Sequence, residues 1–344
     1  MTVPKPAASA PPASTGLCGC HERRMKHPLV LALNPSMDAD WRVDTVRWEE
    51  KNNVLGERRW AGGKGVNVAR WLQHLGANPR LLLPLGGSSG AELATALRAE
   101  RLPARVVPIR GTTRTNVIIS TRVQGQLRFN PLGPELSAVE WRRLERVLTV
   151  ALRRASLLIL SGSLPRGVAV TTYARLIRQA RRACVPVVLD CDGPALRAAV
   201  PAGPLLVKPN EHELGEWARA EGLGAGRSGA ALLRFATEMS KRTRGWVLVS
   251  RGARPAWLVN ARQNLRLQAT PPPVRPLHTL GAGDALLAAA VQALLDRRSP
   301  AEMLEAALAI GSLATRLPAG TLPRHTPSPK RFARRAASLR RATE

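Results

Sequence analysis

Aromatic side chains are scarce in this 344-residue chain, at 3% of positions: eight Trp, three Phe and one Tyr. A core built with so few must rest on Leu, Val, Ile and Ala, which a hydrophobic content of 44% can supply. Cysteine is nearly as rare, with four residues at 18, 20, 184 and 191. Cys18-Gly-Cys20-His21 resembles half a metal site, but no second CxxC or HxxxH completes four ligands. The thiols therefore read as those of a protein in a reducing, cytoplasmic compartment. No apolar run is long enough to span a bilayer; the longest, Ala285 to Leu295, ends at Asp296. The first 26 residues, rich in Pro, Ala and Ser, lack the apolar core of a secretory signal. Residues 1–27 are expected to form a disordered tail, with a transit peptide as the weaker alternative.

Negative charge is also in short supply: 24 Asp and Glu against 52 Lys and Arg, a formal net charge of +28. Such a balance fits either an arginine-rich solvated surface or a nucleic-acid or membrane-surface binder. Here the basic residues are spread through RRLERV, ALRRAS, RQARRAC and KRTRG, on what read as outer faces of amphipathic helices. No aromatic stretch is interleaved with them to stack bases. The expectation is a solvated surface without a nucleic-acid or membrane partner, able to steer anionic small molecules.

What is present is a regular alternation. LVLAL (29–33), RLLLPL (80–85), LLIL (157–160), VPVVLD (185–190), PLLVK (204–208) and WVLVS (246–250) are continuous apolar runs, the pattern of strands buried on both faces of a parallel sheet. Helix-period segments at 64–76, 89–101, 137–155, 171–184, 210–221 and 228–243 separate them, and two more follow at 282–296 and 301–316. The alternation predicts an α/β fold with helices on both faces. Residues 41–60 and 105–130 alternate apolar and polar side chains instead, as half-exposed strands do, and are expected to form a small sheet covering a cleft. Residues 323–344 read as a basic C-terminal tail.

The sharpest motif is His278-Thr-Leu-Gly281-Ala282-Gly283-Asp284, opening a long helix. Small residues there expose backbone N–H groups at the positive end of the helix dipole, where anions bind. A carboxylate beside them can deprotonate a hydroxyl while the N–H groups stabilise a transferring phosphoryl group. Asp284 can equally be a first-turn acid that only stabilises its helix. Ala61-Gly-Gly63-Lys64-Gly-Val-Asn67 opens another helix; its glycines let backbone approach a ligand while Lys64 and Asn67 offer a cation and an amide. It is not a Walker A loop, because the glycine spacing fails and no Ser or Thr follows the lysine. Lys208-Pro-Asn210-Glu-His-Glu213 reads both as a capping box and as a lysine near phosphates beside an Asn/Glu pair that could hold Mg²⁺ through waters. Asn34-Pro-Ser-Met-Asp38 and Ser161-Gly-Ser-Leu-Pro165 each follow a strand, where the ligand crevice of an open α/β sheet lies. Arg114 and Arg128 place guanidinium groups, suited to a phosphate, on the expected lid.

Taken in order, these segments resemble the ribokinase/PfkB carbohydrate kinase family from about Leu29 to Leu322. AGGKGVNVA and HTLGAGDALLAA look like its two signature segments and KPNEHE like its NxxE motif. LNPSMD, NVAR, TRTN, RFNPLGPE and SGSLP look like its phosphofructokinase branch. The resemblance implies a ribokinase-like, doubly wound, mainly parallel sheet flanked by helices, with a small β-sheet lid, in one domain over 28–322. It implies ATP-dependent phosphorylation, with Mg²⁺, of a ketohexose monophosphate, first among them fructose 1-phosphate; 6-phosphofructose and 6-phosphotagatose are the alternatives. Asp38, Gly63, Lys64 and Asn67 would hold the sugar, with Ser161 at the same rim; Arg114, Asn116 and Arg128 would face its phosphate. Asp284 would act as base, and the N–H groups of Gly281, Ala282 and Gly283 as the anion hole. Lys208, Asn210, Ser250 and Gly252 would lie along the nucleotide, with Asn210 and Glu213 near the metal. A homodimer through the lid is also implied. The chain departs from the family at Pro255, where the turn after VLVS usually ends in glycine, at Ala289, another glycine position, and at His278.

Overall fold

The computed structural model describes residues 27–122, 125–325 and 337–341. Strand β1 (His27–Leu31) leads through Asn34 to a hairpin, β2 (Ser36–Arg42) and β3 (Gly56–Gly62), and then helix α1 (Lys64–His74). Next come β4 (Arg80–Leu85), α2 (Gly87–Ala99) and β5 (Ala104–Pro108), followed by a second pair, β6 (Arg114–Ser120) and β7 (Gln126–Phe129). Alternation resumes with α3 (Ala138–Leu152), β8 (Ala155–Ser161), α4 (Thr172–Arg182), β9 (Val187–Asp190), α5 (Gly193–Ala199), β10 (Leu206–Val207), α6 (Glu211–Ala220) and α7 (Gly229–Thr243). The chain closes with β11 (Trp246–Val249), β12 (Ala256–Asn260), β13 (Leu265–Thr270), α8 (Ala282–Leu295), α9 (Pro300–Ala314) and β14 (Ala337–Arg341).

The main sheet runs β14-β13-β12-β11-β10-β9-β8-β1-β4-β5, parallel from β11 to β5 and antiparallel beyond β11. Its strands alternate between two cores, which is why they read as unbroken apolar runs. Val30 and Ile159 face α1, α2, α8 and α9, while Leu29, Leu31, Leu158 and Leu160 face α3 to α7. Each such buried Leu, Ile or Val side chain contributes about 1.5–3 kcal/mol relative to exposure. All six predicted apolar runs fall on strands of this sheet, and all eight predicted helices are present, each end within a few residues.

The lid is a separate four-stranded sheet ordered β3-β2-β6-β7. Its boundaries correct the expected ones. β2 begins at Ser36, so the lid strand grows directly out of the LNPSMD segment. Residues 104–108 do not join the lid: β5 pairs in parallel with β4 at the edge of the main sheet, and only β6 and β7 cross over. An edge strand with one solvated face carries the same alternation as a lid strand, which is why the pattern misled. His27 belongs to β1 rather than to the N-terminal tail, and residues 337–341 of the C-terminal tail pair with β13. The rest of the N-terminal tail, with Cys18, Cys20 and His21, lies outside the described residues. Among the described residues no helix is long and apolar enough to cross a membrane.

Candidate active site

The carboxyl ends of β1, β8, β9, β10 and β11 converge on one crevice, and the N-termini of α1, α6 and α8 open into it. β9 delivers Asp190, a carboxylate 1% exposed. Lys208 Nζ, at the end of β10, stands 3.2 Å from Asp190 Oδ1, and Lys64 Nζ, in the first turn of α1, stands 3.6 Å from it. Lys64 also lies 3.7 Å from Glu213 Oε1 and 4.0 Å from Asp192 Oδ2. Burial alone would raise the Asp190 pKa, but the two lysines overcome it and hold the group below the ordinary carboxylate range. The same cluster raises the Lys64 pKa, Asp190 contributing most.

Asp284 enters from the first turn of α8. Gly281 caps that helix at φ +72°, a left-handed conformation in which glycine carries no Cβ penalty. Asn67 Nδ2 donates to Asp284 Oδ2 at 2.8 Å, so α1 orients the carboxylate of α8. Burial, reinforced by the neighbouring Asp190 charge, pushes the Asp284 pKa up to about 7, against the opposing pull of Asn67, Lys64 and Lys208. A Cβ at Gly283 would meet Lys208 Nζ at 3.6 Å, which places that amine over the helix N-terminus. Of the small residues there, Ala282 N–H is turned back onto Thr279 O at 3.3 Å.

The lid supplies the opposite wall. Parallel pairing of β2 with β6 sets Asp38 beside Asn116 and Ser36 beside Arg114. Asp38 Oδ1 accepts from Ser36 Oγ at 2.7 Å and Asn116 Nδ2 at 2.8 Å. Burial raises its pKa, with those two hydrogen bonds and Arg114 opposing. Gly62 faces the same carboxylate: a Cβ there would lie 2.2 Å from Asp38 Cγ and Oδ2. Arg114 donates from Nη1 to Pro131 O at 2.8 Å and from Nη2 to Asn34 O at 3.0 Å, which fixes its guanidinium at the base of the lid. Gly63, at φ +91°, is the N-cap of α1 and packs on Pro35 and Ser36, joining the lid to the glycine-rich turn. Ser161, 2% exposed, ends β8 with its hydroxyl unpaired.

On the far side of the crevice, Asn210 and Glu213 form a reciprocal capping box at α6, with both hydrogen bonds at 2.8 Å. Asn210 pairs with Ser250 in an isolated parallel bridge, which ties the end of β11 to the same helix terminus. Gly252, at φ +62°, has open space where a Cβ would point. The turn holding Pro255 closes through Arg254 N–H to Arg251 O at 3.1 Å, a bond that does not use the proline nitrogen. Arg251 stacks its guanidinium 4.0 Å from the Trp257 ring and donates to Pro255 O, stapling that turn.

The structure therefore brings together the predicted Lys64, Asn67, Lys208, Asn210, Glu213 and Asp284, and a second group of Asp38, Asn116 and Arg114 beside them. Arg128 is not brought in: it is exposed on β7 and turns to Gln126 Oε1 at 3.3 Å. Pairing with Ile118 carries it past the Asp38 cluster along the lid. Asp190 is the principal omission of the sequence reading, although an acid ending the VPVVLD run at a strand's carboxyl end was a visible signal. Among the described residues no group of three or more His, Cys, Asp or Glu could cage a metal ion. The donors fit Mg²⁺ of the kind that keeps its waters and binds with a nucleotide's phosphates.

Comparison with known proteins agrees with this geometry. The model of the pfkB family of carbohydrate kinases matches residues 35–327. The chain is 33% identical over 287 residues to the ATP-dependent 6-phosphofructokinase isozyme 2 of Escherichia coli, covering 83% of this chain and 91% of that protein. It is 34% identical over 315 residues to the 1-phosphofructokinase of Rhodobacter capsulatus, covering 90% and 95%. The crystal structure of E. coli phosphofructokinase-2 in complex with substrates and products superposes with a TM-score of 0.78 at 31% identity, over 84% of this chain and 93% of the other.

Proposed function

Because the chain belongs to the pfkB family of carbohydrate kinases, we propose that it transfers the γ-phosphoryl group of ATP to a ketohexose monophosphate, with fructose 1-phosphate the first candidate. The observation that carries this reading is the buried Asp284 carboxylate, oriented by Asn67 at 2.8 Å at the N-terminus of α8. A pKa raised to about 7 suits a base that must hold and release a proton near neutrality.

Asp284 takes the proton of the acceptor hydroxyl. The N–H groups of Gly281 and Gly283, at the positive end of α8, meet the transferring phosphoryl group, and Lys208 adds a cation above them. Lys64 and Asp190 set the charge balance that keeps Lys208 and Asp284 in place. Asp38 and Asn116 grip sugar hydroxyls and Gly63 gives them room, while Arg114 faces the sugar's phosphate from the lid. Ser161 has an unpaired hydroxyl to offer at the same rim. Ser250 and Gly252 border the nucleotide. Asn210 and Glu213 would hold Mg²⁺ through its waters, and the ion would supply charge neutralisation for the nucleotide's phosphates. Pairing of two chains through their lids belongs to the same reading, since Leu127 and Phe129 on β7 present apolar side chains to solvent.

An ADP-release assay with Mg-ATP against fructose 1-phosphate, fructose 6-phosphate, tagatose 6-phosphate, fructose and ribose tests the proposal. Turnover confined to one or more phosphorylated ketohexoses is expected. Equal turnover on fructose or ribose, or none on any of the five, would contradict it.

A further inference from the structure

An open cleft of about 770 Å³ lies where β6 begins, and two guanidinium groups line it, Arg114 and Arg166. Arg166 follows the SGSLP segment at the end of β8, so it reaches the cleft from the main body while Arg114 reaches it from β6. Both arginines grip the same loop, residues 131–136. Arg166 Nε donates to Gly133 O at 3.1 Å, as Arg114 Nη1 does to Pro131 O. The backbone fixes Arg166 as well: Leu136 N–H donates to Arg166 O at 3.1 Å, and Glu135 pairs with Arg166 in a parallel bridge. Asn34 Nδ2 completes the frame, donating to Leu132 O at 2.9 Å and to Ser163 Oγ at 3.0 Å.

The two guanidinium groups differ in what remains free. Arg114 commits each terminal nitrogen to a backbone carbonyl, and its Nε is buried without a partner. Arg166 uses only Nε, so both terminal nitrogens stay free, and no ion pair with a carboxylate is found for it among the described residues. Glu135 lines the cleft too, its side chain lying over Gly167, so one carboxylate opposes two guanidinium groups and the cleft keeps a positive balance. A phosphate group offers more acceptor oxygens than Arg114 can satisfy alone, and a second arginine with free terminal nitrogens supplies the missing donors.

We propose that Arg166 is a specificity-determining residue that binds the phosphate already carried by the sugar, jointly with Arg114. This rests on the sugar-phosphate reading above. Arg166→Met keeps the stem and removes the charge; Arg166→Lys keeps the charge; Arg114→Ala serves as reference. For Arg166→Met, KM for the phosphorylated ketohexose should rise roughly ten- to a hundredfold. Its kcat and its KM for ATP should stay near wild type, and Arg166→Lys should recover most of the KM. A purely structural role would instead lower the melting temperature and depress kcat and the affinity for ATP as well. That pattern, or an unchanged KM in Arg166→Met beside a raised KM in Arg114→Ala, overturns the assignment of Arg166 and leaves the proposed function standing. Wild-type enzyme that does not prefer phosphorylated sugars overturns both.

Discussion

Asn67 and Asp284 meet across a single hydrogen bond of 2.8 Å, and that bond joins the two glycine-rich helix starts on which the chemistry depends. Asn67 sits on α1 and Asp284 on α8, helices packed side by side against the same core. Burial raises the proton affinity of Asp284 most, Asp190 adds to it as a like charge, and Asn67, Lys64 and Lys208 oppose it.

The pH dependence follows from that arrangement. Catalysis needs Asp284 ionised, so kcat/KM should climb along an acid limb with an apparent pKa near 7. Stability should run the other way. A carboxyl raised to about 7 in the folded chain binds its proton more tightly there than in the unfolded chain, where its pKa is ~4. The contribution is full below pH ~4 and is lost as pH rises through about 7. Asp284→Asn should flatten this part of the stability curve. Asp190→Asn should move the kinetic limb to lower pH, because the like charge goes and Lys64 and Lys208 turn toward Asp284. A limb unmoved in Asp190→Asn would contradict the coupling.

Gly62 lies where a Cβ would come within 2.2 Å of the Asp38 carboxyl, so Gly62→Ala must displace Asp38 or shift the β2–β3 pairing. KM for the sugar should rise by about tenfold or more, as a lost pair of charge-assisted contacts would produce. KM for ATP should change little, since the nucleotide side of the crevice is built from other strands. Steady-state kinetics with each substrate varied in turn checks this.

Asn210 caps α6 and is also proposed to stand near the metal, and the two roles can be separated. Asn210→Ser retains a good N-cap acceptor, so stability should fall by no more than about 0.5 kcal/mol, against ~1 kcal/mol for Asn210→Ala. The Mg²⁺ concentration for half-maximal activity should rise in both variants. If only Asn210→Ala shows a change, and only in melting temperature, Asn210 is a cap and nothing more.

Most of the fold was legible because its strands are buried on both faces, which writes them as plain apolar runs with helical spacers between. The elements that escaped have local reasons. β12 and β13 turn antiparallel at the sheet's far edge, where LRLQAT mixes polar and apolar positions. α5 is seven residues long and opens Gly-Pro, too short for a helical period to show. β5 carries an alternating pattern that an edge strand and a lid strand share. In the site, Asp284, Lys64, Asn67 and Lys208 stood in glycine-rich or capping segments that announce a ligand. Asp190 did not, because its importance comes from two lysines on other elements that only folding brings within 4 Å. Arg166 was hidden for the same reason, its partner loop lying 33 residues away at Gly133.

The most direct measurement is kcat for Asp284→Asn on the phosphorylated ketohexose that the wild type turns over, with sugar affinity measured in parallel. Asn keeps the shape and the bond to Asn67 but cannot accept the proton. The expected result is a loss of about 10²–10⁴-fold or more in kcat with the dissociation constant for the sugar nearly unchanged. A variant that folds, binds the sugar and retains a near-normal kcat would contradict the assignment of Asp284 as the base.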